Sequence, residues 1–96
     1  MSPAVPRSEK ADISAQALAD ACLGYLAENP DELLGFMQFS GLDPEGFRQS
    51  VGTPSLRHGL IDYFASNEPI LLALCANAVM SPEQFMRVWQ RLNPSG

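Results

Sequence analysis

Residues 69–80 read PILLALCANAVM, and eleven of these twelve are apolar or proline, with Asn77 the one polar side chain. At the helical step of about 100° per residue, Leu71, Leu72, Leu74, Cys75 and Val79 point to most sides of a helix rather than along one stripe. A helix apolar nearly all round belongs inside a core, and twelve residues are too few to span a bilayer. Ala73, Ala76 and Ala78 would let neighbouring helices approach closely. The stretch therefore predicts an all-α domain packed around residues 69–79. It also predicts that Leu72→Asp unfolds the domain.

Outward from there, turn chemistry divides the chain. Asn29, Pro30 and Glu32 offer an N-cap, a first helical residue and the third member of a capping box. Gly41 suits a left-handed C-cap, Asp43-Pro44-Glu45 opens another helix with Phe47 and Val51 inward, and Gly52-Thr53-Pro54 closes it and caps the next. Earlier, Asp12 or Ser14 caps a helix striped by Leu18, Cys22, Tyr25 and Leu26. The predicted helices are 12–28, 30–40, 44–51, 54–66, 68–79 and 82–92. Residues 1–11 read as an N-terminal arm and 93–96 as a tail, so 12–92 is one domain.

The pattern repeats. Residues 18–51 align without a gap on 56–89 at an offset of 38, giving nine identities in 34 pairs, among them Tyr25/Tyr63, Asn29/Asn67, Pro44/Pro82 and Phe47/Phe85. Two three-helix units sharing one core follow from this reading. Glu32, Gln38 and Phe39 become Ile70, Ala76 and Asn77, so the second helix of the first unit should lie nearer the surface than its counterpart.

Composition narrows the function. At 46% apolar and 18% charged residues the chain is that of a soluble globule, and the net charge of −5 is unevenly spread. Asp20, Glu28, Asp31, Glu32, Asp43 and Glu45 lie in a segment without Lys or Arg, which opposes binding to a phosphate backbone and suits a protein partner. Cys22 and Cys75 lack a CxxC arrangement and read as small buried hydrophobes of a reducing cytoplasm, and no run is long enough to cross a membrane. His58 is the only histidine. It could meet Asp62 one turn on, but no serine or cysteine is placed to use such a pair, and no phosphate loop or metal spacing occurs. No catalytic residue, cofactor or metal is expected, and the chain reads as non-enzymatic.

A helix-turn-helix reader of nucleic acid is the alternative. LLGFMQFSGLDPEGFRQSVG has its outline, with Gly41 at the turn, but Met37 and Ser50 depart from it. Its second helix offers Glu45, Arg48 and Gln49, little positive charge for phosphates. Phe85, Val88, Trp89 and Leu92 form a core stripe on the last helix. The surfaces expected to hold a partner are acidic, Asp31 and Glu32 with Asp43 and Glu45, and on the last helix basic, Arg87 and Arg91. A small adaptor, regulatory module or homodimer fits such surfaces.

LGYLAENPDELLGFMQFSGLDPEGFR at 23–48 and LIDYFASNEPILLALCANAVMSPEQFMRV at 60–88 resemble the domain-of-unknown-function family 3572, small alphaproteobacterial proteins of unassigned function. Phe39-Ser40-Gly41-Leu42-Asp43-Pro44 with Phe47-Arg48, and Glu68 before Leu71-Leu72, carry the resemblance. Val79-Met80 departs from it where such proteins often place a glycine. The resemblance implies an all-helical cytoplasmic protein and supplies no site residues.

Overall fold

The computed structural model describes residues 13–94, so the arm expected at 1–11 and an Asp12 cap lie outside the described residues. Six helices follow one another: α1 (Ala15–Glu28), α2 (Pro30–Ser40), α3 (Pro44–Ser50), α4 (Pro54–Ala65), α5 (Glu68–Ala78) and α6 (Pro82–Leu92). The fold is all-α. Proline stands in the first or second helical position of α2 to α6, where its missing N–H has no helical partner to lose. Ser14, Asp43, Thr53 and Ser81 accept a backbone N–H three residues on, and Ser81 completes a capping box with Gln84.

The box expected at Asn29 and Glu32 is absent, because Asn29 also ends α1 and its side chain turns back. Its Nδ2 donates to the Tyr25 carbonyl at 2.8 Å, and Asn67 donates to the Tyr63 carbonyl at the same distance. These single-residue elbows fold α2 back on α1 and α5 back on α4. At the other end of the same helices, Gly41 and Val79 both take the left-handed conformation, with φ of 78° and 56°. Valine there is strained by its own Cβ, so the turn at which Val79 departs from the resemblance keeps a left-handed geometry at a cost.

The core corrects the sequence reading of its centre. Leu56, Leu60, Ile61 and Phe64 bury α4 against α1, α2, α5 and α6, so residues 54–65 form the hub. α5 lies to one side: Ile70, Leu71, Leu74 and Cys75 face inward, while Leu72 is 47% exposed. Leu72→Asp therefore leaves a charge within reach of water, and the domain should stay folded. Apolarity on all sides did not mean burial on all sides. Val51, expected inward, is exposed as well, whereas the stripe Leu18, Cys22 and Leu26 is fully buried.

α2 and α5 begin and end 38 residues apart, and exchanging α1 with α4 and α2 with α5 leaves the packing pattern of these four helices unchanged. The third helices break it. α6 packs on α1, α4 and α5 and buries Phe85 and Val88, whereas α3 has no buried residue and meets the core mainly through Phe47 on Phe36. α2, with only Phe36 buried, lies nearer the surface than α5, as expected.

A candidate binding groove

Where the short α3 leaves α2 and α4 uncovered, a groove of about 290 Å³ opens. Phe36, Phe39 and Leu42 wall it, and Ser55, Leu56 and Gly59 of α4 form its floor. Its aromatic wall is the end of a packed row. Phe36 meets Tyr63 edge-on at 5.4 Å between centroids, Phe39 lies 5.1 Å from Tyr63, and Tyr63 meets Phe64 at 5.9 Å. Such contacts fix the rings beyond what area burial alone would do. Phe39 ends the row 54% exposed.

Two helical glycines shape this region in opposite ways. A Cβ on Gly35 would lie 2.7 Å from the Tyr63 hydroxyl, so the bare backbone of α2 is what lets Tyr63 lie across it. A Cβ on Gly59 would meet nothing within 4 Å. Gly59 thus gains its helix no close packing, and its space belongs to the groove. Burial raises the Tyr63 phenol pKa above its ordinary value, and the nearby Glu32 carboxylate adds to the rise.

A second hollow, of about 370 Å³, continues past Ser55, which lines both, and is bounded by Pro54, Arg57, His58 and Leu92. The half-buried His58 places Nε2 3.3 Å from the Leu92 carbonyl. Asp62 is not its partner, as the i,i+4 spacing allowed, because Asp62 Oδ1 accepts from Trp89 Nε1 at 2.8 Å.

The residues expected to hold a partner do not converge. Asp31 and Glu32 open α2 while Asp43 and Glu45 lie beyond its far end, about 16 Å away along the axis of an eleven-residue helix. Asp43 Oδ1 caps α3 by accepting from Gly46 N at 2.7 Å. Glu45 pairs with Arg48 at 3.5 Å and accepts from Gln49 at 3.1 Å. Arg87 and Arg91 are exposed one turn apart on α6, and Arg91 Nη2 donates to the Ile13 carbonyl at 2.8 Å. The groove was not among the sequence expectations. Phe36 and Phe39 lie on a helix expected only to sit nearer the surface, and nothing local marks Gly59, twenty residues after Phe39, as their floor.

Among the described residues no group of three or more His, Cys, Asp and Glu could hold a metal ion, and no helix is long and apolar enough to cross a membrane. A family model described as "Protein of unknown function (DUF3572)" matches residues 12–95. The chain belongs to this family. Neither a curated protein nor a solved structure matches it. The DUF3572 match takes in every helix and both hollows, so the groove is part of the matched domain and not an appendage to it.

Proposed function

We propose that this DUF3572 protein is a small non-enzymatic interaction or adaptor module whose groove between α2 and α4 takes an apolar segment of a protein partner. The observation that carries the reading is the pairing of a half-exposed aromatic ring, Phe39, with an open helical glycine, Gly59, across one cavity. Each is a local sacrifice of stability. A glycine inside a helix costs about 0.5–1 kcal/mol relative to alanine, and an exposed phenylalanine gives up burial energy. Both converge on the same groove, as expected where function competes with stability. The polar side chains of α3 are engaged with one another, Glu45 with Arg48 and Gln49, which favours a protein over a nucleic-acid partner. Free Cys22 and Cys75 suit a reducing cytoplasm.

The test is a tagged pull-down from a source lysate, with and without nuclease, using the native chain and Gly59→Leu. A Cβ there meets nothing within 4 Å and leucine favours a helix over glycine, so the variant should melt at or above the native temperature. A stoichiometric protein captured by the native chain and lost with Gly59→Leu supports the reading. Equal capture by both refutes it. Enrichment abolished by nuclease supports the helix-turn-helix alternative, and retrieval of a second copy of the chain identifies a homodimer.

A further inference from the structure

Among the described residues, no carboxylate pairs directly with the arginine of the second hollow. Arg57 is half-buried, and its Nη1 donates 2.9 Å to Gln16 Oε1, a neutral amide. A guanidinium has five N–H donors, so this bond leaves most of them for another acceptor. Asp20 lines a small neighbouring hollow together with Arg57, but its hydrogen-bonded link to the guanidinium runs through the intervening amide, since Gln16 Nε2 donates to Asp20 Oδ1 at 3.0 Å. Asp62, one turn beyond His58, is held by Trp89. In a chain of net charge −5, the half of the groove beside α6 is thus lined by an arginine and a histidine with no carboxylate among its described lining residues, while the other half is aromatic and aliphatic.

On the reading that the groove binds a protein segment, we infer that this segment carries an acidic side chain, taken by Arg57, close in sequence to the apolar side chain that lies between Phe39 and Gly59. Charge complementarity selects the acid, because a guanidinium fork binds a carboxylate through paired, charge-assisted hydrogen bonds. The spacing follows from the floor. Ser55 belongs to both hollows and Gly59 lies one helical turn, about 6 Å, further along. An extended peptide advancing about 3.3 Å per residue reaches from one hollow to the other in two or three residues. The occupant is therefore a short segment with Asp or Glu two or three positions from a large apolar residue. Charge fixes its direction along the groove, and the apolar side chain supplies the burial.

A displayed library of random twelve-residue peptides, selected on the full chain, tests this. Binders are counter-selected on Gly59→Leu, and the best synthetic peptide is titrated by fluorescence polarisation. The expected result is enrichment of Asp or Glu at that spacing. Arg57→Gln should then weaken binding by roughly tenfold or more, the scale of one hydrogen bond to a charged group. Replacing the peptide's acid by its amide should cost the same factor, with no further loss when both changes are combined. Groove-dependent peptides without an acid, or unchanged affinity for Arg57→Gln, overturn the inference and leave the groove standing. So does a peptide whose only essential carboxylate is its C-terminus. Failure to enrich any peptide sensitive to Gly59→Leu overturns the groove itself. Matching circular dichroism and melting of each variant exclude misfolding as the cause.

Discussion

The groove over Gly59 has a counterpart on the other half of the molecule, and the two differ in what lines them. On α1 and α5 a hollow of about 270 Å³ is bounded by Ala21, Leu74, Asn77 and Ala78, the positions 38 residues removed from Gly59, Phe36, Phe39 and Ser40. The frame is shared, down to elbows at Asn29 and Asn67 with the same side-chain bond. Yet one hollow sets the rings of Phe36 and Phe39 over Gly59, and the other sets Leu74 and Asn77 over Ala21, with Gly24, Tyr25 and Glu28 alongside. A common arrangement of helices therefore does not create a binding surface. The side chains placed upon it do.

The largest test of this contrast concerns the third helices. Phe85→Ala removes a ring that is fully buried and should cost about 3–5 kcal/mol in urea unfolding. Its counterpart Phe47→Ala, half-buried on the edge helix, should cost about 1–2 kcal/mol. Equal losses would show that α3 is as integral to the core as α6.

Next comes the interface between the halves, where Cys22 and Cys75 lie buried on α1 and α5. Burial pushes both thiol pKa values up, and for Cys22 the neighbouring Cys75 adds to the rise. An unfolded thiol ionises near pH 8.5, whereas the folded ones keep their protons. Above that pH the native state binds more protons than the unfolded one, and stability falls as pH rises. Urea midpoints should therefore be lower at pH 10 than at pH 8, and a thiol reagent at pH 8 should label only unfolded chains. Rapid labelling of one cysteine in the native protein would mark its half as the looser.

The grooves themselves are compared by exchanging their ledges. Phe39→Asn should weaken partner or peptide binding roughly tenfold, equivalent to about 1.4 kcal/mol, with little change in melting temperature because Phe39 is half-exposed. The reverse exchange, Asn77→Phe, should create no binding, since the hollow on α1 and α5 has Ala21 where the groove has Gly59, and Glu28 rather than an arginine at its edge. Smallest is the effect at the paired caps. Val79→Gly should stabilise the domain by about 1 kcal/mol through relief of left-handed strain, and Gly41→Val should destabilise it by a similar amount. Opposite signs at equivalent backbone positions would isolate the Cβ as the cause.

Helix boundaries were legible because prolines and capping side chains act through their immediate neighbours, as at Pro30, Pro44, Pro54 and Pro82. The hub was not. Residues 69–80 are more continuously apolar than α4, but burial depends on how many helices surround a segment, and Leu72 and Val79 face away from all of them. Nor could the partner surface be read from charge alone. Asp43 and Glu45 looked available, yet both are occupied in starting α3, and the feature that stands out is an arginine that pairs with no acid among the described residues.

The bond from Trp89 to Asp62 gives the protein a built-in optical gauge. The indole is the only one in the chain, and it reports on the seam between α6 and α4. A red shift of its emission that precedes the loss of helical circular dichroism would reveal α6 departing from a still-folded body. Simultaneous changes would show that the last helix leaves only when the whole domain does.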